Sequence, residues 1–326
     1  MANAHFAAQP VPIWNTVGTK VEGLMTAEDA LAKGGLDWEV ELHPVFASVN
    51  GKKIQVPGKY APVRSTDSRP LGIVGASYKP VQNVAALNFM DSIIGRGEAV
   101  YETVGTLGNG QVIWMLAKIP SVNGAVDPVE RYMLMSTSHN GVSPIMVAAL
   151  DFRIWCANQI QAAIRKAKNK FRIRHTTNVE LKMKEARIAF DGSVKYFNEM
   201  DVIFNRMKEI KFSQGQLIQL VTNVFGSELE GDDERSNRQV NRLEAIQEKV
   251  VDLSLTGMGT HLPGVKGTAW GAYNAVTEYL DHHTKVKGGK GASAEEKLLG
   301  SAWFGTVGMK TQKTFDSLTS MVKLAT

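Results

Sequence analysis

A single cysteine, Cys156, stands among the 326 residues, which excludes an internal disulfide and any zinc site built from cysteine pairs, and suits a reducing compartment. No apolar run approaches the ~20 residues of a membrane-crossing helix, and the opening MANAHFAAQPVPIW lacks the basic head and apolar stretch of an export signal. The expected location is therefore the cytoplasm, with no membrane partner. There is no GxxxxGK[ST] phosphate loop, and the one glycine-rich candidate, GTLGNG (105–110), lies between two strand-like segments instead of a strand and a helix. The seven histidines are scattered, with His282-His283 the only adjacent pair, and no acidic spacing of the kind nucleases use stands out. These absences point away from a nucleotide-driven or metal-dependent enzyme. No cofactor is expected, and an enzyme is the weaker class.

What is present is a globular composition, 44% hydrophobic and 21% charged, with a net charge of +5 that makes a polyanion a reasonable partner. The texture changes near residue 155. Before it, short apolar runs alternate with Gly, Pro and Asn. In AVYETVGTLGNGQVIWMLAKIP (99–120), Gly108-Asn109-Gly110 supplies the positive-φ residues of a tight turn between two strands. Alternation puts Val112, Trp114 and Leu116 on one face and Ile113, Met115 and Ile119 on the other, so both faces need cover. Asn83 is placed to cap a helix over VAALNFMDSIIG, with Val84, Leu87, Met90 and Ile94 as its apolar stripe. A strand is expected in LGIVGASYKPVQ (71–82), and a further strand pair in RYMLMSTSHNGVSPIMVAAL turns at Asn140-Gly141. After residue 155 the pattern is helical. Cys156, Ile160, Ala163 and Ala167 form a helical stripe, and Thr177 with Glu180 caps a helix from Asn178 to about Ile210 whose apolar residues, including Phe197, Met200, Phe204 and Met207, demand a partner helix. Ser213 with Gln216 caps another helix. SELEGDDERSNR (227–238) reads as an acidic loop and GGKGAS (288–293) as a linker, with a last helical stretch to follow. The expected architecture is α+β: a mainly antiparallel sheet with β-hairpins and a short packing helix, then a helical C-terminal half. Three regions are expected: an N-terminal arm (1–60), an α+β core with a basic helix (61–176) and a helical region (177–326).

The segment RKAKNKFRIRHT (165–176) carries six Lys or Arg in ten positions, and no acidic residue interrupts the chain between Asp151 and Glu180. A solvated helix end is the ordinary reading of such a run. Here, however, Arg165, Lys168 and Arg172 share one side of a helix, and the run continues into FRIRHTTN, where Arg172 and Arg174 alternate with Phe171 and Ile173. A line of cations with Phe171 and His175 beside it is the composition single-stranded nucleic acid requires, charge for phosphates and flat rings for bases. Arg165, Lys166, Lys168, Lys170, Arg172 and Arg174 are the expected phosphate contacts, with Phe171 and His175 stacking on bases. Arg153 is expected to line the groove, or else to be a buried charge paired with Asp151 or Glu102. Tyr78 and Trp114 are the next aromatics to consider, Trp114 being the better core residue.

Trp14 with VGTKV, LGIVGASYKPVQN, TVGTLGNGQVIWMLAKI, TSHNG, FRIWCANQI, IRHTTNVELKMKEAR and GTAWGAYNAVTEYLDH, in that order through almost the whole chain, resemble the phage/plasmid-like family carrying the domain of unknown function numbered 932. Arg153, Cys156, Asn158, Arg174, His175 and Thr176 agree with that family's pattern; His139-Asn140-Gly141 stands where it usually has His-Asp-Gly, and Ile154-Trp155 where it usually has two valines. The resemblance implies DNA metabolism of mobile elements without naming a reaction. The order of elements also resembles the core of single-strand annealing proteins of the RecT and Redβ type, which implies side-by-side assembly into rings or filaments and a basic groove for one DNA strand. The expectation is an ATP-independent, homo-oligomeric protein that binds and anneals single-stranded DNA in phage or plasmid recombination, in a bacterial host cell. A phage or host replication protein is a further expected partner. The alternative is a non-enzymatic assembly protein of a mobile element whose basic segment meets an acidic protein.

Overall fold

The computed structural model describes residues 11–23, 25–88, 91, 99–119, 129–153, 158–160, 171–173, 175, 186–226, 234–284, 286, 288 and 292–324, with backbone alone at 22, 158–160, 171–173, 186–195, 234–236 and 322–324. Its centre is a seven-stranded antiparallel sheet. In chain order its strands are β1 (Thr19–Gly23), β5 (Val100–Leu107), β6 (Val112–Ile119), β7 (Val129–Ser138), β8 (Ile145–Arg153), β9 (Asn158–Ile160) and β10 (Phe171–Ile173). Their spatial order is β1-β5-β6-β7-β8-β10, with β9 also pairing β8. A second sheet holds β2 (Val40–Val49), β3 (Lys52–Arg64) and β4 (Val74–Gly75). The fold is α+β: antiparallel sheets in the N-terminal part, then a mostly helical C-terminal half.

The expected hairpin forms the sheet's centre. Gly108, Asn109 and Gly110 have φ of 65°, 58° and 95°, so the chain reverses through left-handed conformations that glycine and asparagine accept most readily. Both faces are covered. On one, Trp114 packs edge-on against Trp303 at 5.0 Å, and Trp14 from helix α1 (Ile13–Val17) meets Phe152 at 4.5 Å and Tyr132 at 5.4 Å. Gly105, directly across from Trp114, leaves room for that ring; a Cβ there would fall 2.4 Å from it. The other face includes the buried Ile113 and Met115. Helices α2 (Ala27–Lys33) and α3 (Asn83–Leu87) pack against the sheet. Thr26 and Asp29 close a capping box on α2.

The helical half consists of α4 (Ala186–Glu209), α5 (Gln214–Phe225), α6 (Glu234–Thr256), α7 (Ala269–Glu278), α8 (Ala294–Phe304) and α9 (Thr306–Leu324). The expected stripe of α4 is buried at Phe197, Met200, Phe204 and Met207, and Phe204 meets Trp270 of α7 at 4.8 Å and Phe315 of α9 at 6.5 Å. The Ser213–Gln216 capping box of α5 is formed.

Several local expectations are corrected. Asn158–Ile160 is a strand, not part of a helix: it pairs with Asp151–Arg153, whose outer edge would otherwise leave backbone groups unpaired. Phe171, at the end of the expected basic helix, belongs to β10, and residues 155–157 and 161–170 of that helix, Cys156 among them, lie outside the described residues. So do 89–90 and 92–98 of the expected helix after Asn83, and Thr177 and Glu180 of the expected capping box. Asn83 is not a cap: Gln82 occupies that position, and the Asn83 side chain turns inward to donate to the carbonyls of Leu36 (2.8 Å) and Trp38 (3.3 Å). In 71–82 only Val74–Gly75 is a strand, because the segment turns where Tyr78 N–H donates to the Gly75 carbonyl. Residues 234–238, expected as loop, open α6, and the last helical stretch is two helices parted at Gly305. Among the contacts of the first 60 residues, β1 pairs with β5 of the central sheet, and β3 continues through residue 60.

Candidate nucleic-acid interface

Three sequence-distant segments meet at the β8–β10 edge of the sheet. The loop between β7 and β8 turns at Gly141 with φ 74°, where a Cβ would lie 2.9 Å from Val74. The loop after β4 brings Tyr78, whose hydroxyl donates to the Ser138 carbonyl at 3.0 Å. The third segment is His175, just past β10, whose carbonyl accepts from Lys79 N–H at 3.1 Å. The rings of Tyr78 and His175 stack, with centroids 5.0 Å apart and planes at 23°. Together with Ile73, Ser77, Val142 and Ser143 they line a cleft of about 690 Å³. Ile73 and Val142 leave 63% and 81% of their surfaces exposed, so the cleft has an apolar rim over an aromatic wall.

Behind this wall is a buried polar layer. His139 Nε2 lies 2.8 Å from Asn83 Oδ1. Because the Asn83 amide already donates to two carbonyls, its oxygen must accept, and Nε2 of His139 carries the proton. Nδ1 of His139 and Nδ1 of His175 are both buried with no hydrogen-bond partner among the described residues. Burial pushes the His175 imidazole down to about 4, and burial with the neighbouring His175 pushes His139 to about 3. Both are uncharged at neutral pH. His175 is thus a neutral flat ring at this cleft, not a cation.

The basic segment reaches the same place. Among the described residues β10 is an outer strand, with Arg172 in register opposite Met146 and Ile173 opposite Ile145, one residue beyond Pro144 of the cleft. The extended backbone expected for FRI is therefore present, and it puts Phe171 and Arg172 on the sheet's edge. Arg165, Lys166, Lys168, Lys170 and Arg174 lie outside the described residues. Arg153 is the correction. It is fully buried, and instead of lining a groove it donates to the carbonyls of Met258 (3.1 Å) and Gly259 (3.3 Å), while Glu278 of α7 accepts from Met258 N–H at 3.1 Å. Arg153 and Glu278 hold the 257–260 turn between them and join the sheet to the helical half, so Arg153 is the buried charge of the alternative expectation, with the Met258 and Gly259 carbonyls as acceptors. Trp114 is core, also fully buried.

The cleft was not legible as a site, although its residues sit in recognisable stretches: Tyr78 and Asn83 in YKPVQN, His139 and Gly141 in TSHNG, His175 in IRHTTN. Their convergence is the missed signal. Among the described residues no group of three His, Cys, Asp or Glu side chains is placed to hold a metal ion, and no helix is long and apolar enough to cross a membrane.

An α+β protein with a sheet-edge cleft built from these stretches is the class defined so far. Residues 70–303 match the family described as Domain of unknown function (DUF932), and the chain belongs to that family. No curated protein and no solved structure matches it.

Proposed function

We propose that this protein binds single-stranded DNA along the β10 edge of its sheet and, as a homo-oligomer, promotes annealing of complementary strands without nucleotide hydrolysis, serving phage or plasmid recombination in the bacterial cytoplasm. The observation that carries the reading is the junction of the acid-free basic stretch with the cleft: β10, the end of that stretch, is stitched to β8 beside a pocket walled by stacked Tyr78 and His175. At β10 the acid-free basic stretch meets a cleft with an apolar rim that the edges of Tyr78 and His175 line, and charge beside apolar and aromatic surface is the pairing that holds single strands irrespective of sequence. Annealing needs strands held by their backbones with bases free to pair, which requires no chemical step from the protein.

The test is fluorescence anisotropy of a labelled single-stranded oligonucleotide of arbitrary sequence across a salt series. If the six cations of 165–174 each neutralise one phosphate, log affinity falls against log salt with a slope of roughly −4, from about −0.7 per contact. Arg172→Glu with Arg174→Glu weakens binding while circular dichroism stays native. Unchanged affinity in that folded variant removes the basic stretch from the interface. Pairing of complementary strands in the presence of a chelator, by a species of high mass in light scattering, tests the annealing step.

A further inference from the structure

We propose that the β2–β3 hairpin is a second contact arm for the same nucleic-acid strand, a proposal that rests on the single-strand-binding reading above. The hairpin turns at Asn50-Gly51, with φ of 50° and 78°, and its ladder runs from Val40↔Arg64 to Val49↔Lys52, about 30 Å at ~3.3 Å per residue. From His43 to Lys59 every residue is exposed except Val45 and Val56, which are half-buried. A two-stranded ribbon this bare is marginal in water and gains from a surface laid against it.

Charge and pattern identify that surface. No acidic residue occurs between Glu41 and Asp67, while Lys52, Lys53 and Lys59 do. Arg64, at the root, is already held by Asp67 at 2.6 Å. Beyond the bulge between Pro44 and Phe46, the register puts Ser48 opposite Lys53 and Phe46 opposite Gln55. One face of the arm therefore presents a cation, two hydrogen-bonding side chains and the ring of Phe46, 52% exposed. That is again charge with a stacking surface, which suits a strand of phosphates and bases better than a second copy, whose own lysines would repel these. The arm also joins the cleft: Lys59 and Tyr60 pair with Gly75 and Val74 of β4, and both β4 residues line it. A strand lying in the cleft thus passes the root of the arm.

The experiment uses the full chain and a labelled oligo-dT across a salt series, comparing wild type with K52Q/K53Q/K59Q and with F46S. Wild-type binding, read first, is the check on the single-strand reading itself; its absence overturns both. With binding present, the arm predicts that the triple variant flattens the salt slope by at least ~0.7, the share of Lys53 on the Phe46 face, and that F46S weakens affinity with the slope kept. Wild-type affinity and slope in the triple variant overturn the arm while leaving the cleft and basic stretch in place, and reduce the lysines to guards against edge-to-edge pairing. A fall in oligomer mass in F46S with DNA affinity unmoved assigns the arm to contact between copies and likewise overturns the proposal. These side chains are exposed, so circular dichroism is expected to stay native; K53Q alone, predicted to flatten the slope by about 0.7, serves if the triple variant misfolds.

Discussion

Replacing Asp151 by asparagine should remove most of a pH dependence that runs opposite to that of an ordinary acid. Asp151 stands opposite Arg131 on β7, with 1% of its side chain exposed. Arg131 offers little compensation: its Nε is 3.9 Å away, while its Nη2 lies 2.5 Å from Asp201. The Tyr196 hydroxyl lies close enough to favour the charged form of Asp151, but neither group makes a well-aligned hydrogen bond among the described residues. Burial outweighs the attraction of Arg131 and pushes Asp151 from 3.8 to about 8, so the folded protein holds it mostly as a neutral acid at pH 7. A folded-state value raised above the unfolded one gives stability that is complete below the unfolded value and is lost as pH rises through the folded one. Between about pH 5 and about pH 7.5 the loss integrates to about 3 kcal/mol, a large share of the 5–15 kcal/mol typical of a domain. Asparagine has nearly the same shape and cannot ionise. Urea unfolding followed by circular dichroism, at several pH values in that window, should show wild type losing about 3 kcal/mol relative to Asp151→Asn as pH rises. Parallel stability profiles would refute the reasoning, because they would mean that Asp151 titrates alike in both states or that a partner pays for its charge. The buried histidines titrate in both proteins and cancel in the difference.

Arg153→Met should cost about 3 kcal/mol in urea unfolding, since it strips a buried guanidinium from the Met258 and Gly259 carbonyls and leaves Glu278 without its neighbouring cation; the DNA affinity of the fraction that folds should not change. His175→Gln should relieve an acid sensitivity of the opposite sign to that of Asp151. A depressed imidazole contributes stability that is complete above about 6.5 and is lost as pH falls toward about 4, so wild type should weaken on acidification more than the variant, as thermal melts across that range would show. Gly105→Ala forces a methyl against the Trp114 ring and should destabilise by about 1–3 kcal/mol, read by denaturation and by a shift in tryptophan fluorescence.

What the sequence determined by itself is what a few neighbouring residues can encode. Gly108-Asn109-Gly110 supplies its own turn, Ser213 and Gln216 satisfy each other's backbone donors, and the three-and-four spacing of Phe197, Met200, Phe204 and Met207 makes one face of a helix wherever it is placed. The α+β order and the family follow from such local signals read in sequence. Tertiary structure decided everything that depends on a distant partner. Asn158–Ile160 has apolar spacing compatible with a helix, yet it is a strand because β8 offers an unpaired edge. Arg153 carries the same charge as Arg172, but the carbonyls of a turn 105 residues away take it into the core, while Arg172 joins an outer strand. Asn83 has the chemistry of a cap and spends it on Leu36, Trp38 and His139 instead. The cleft exists only because Tyr78, Gly141 and His175 are folded together. Turn propensity and helical period act over a handful of residues, whereas burial and strand pairing are settled by whichever segment arrives to satisfy the exposed backbone and side-chain groups.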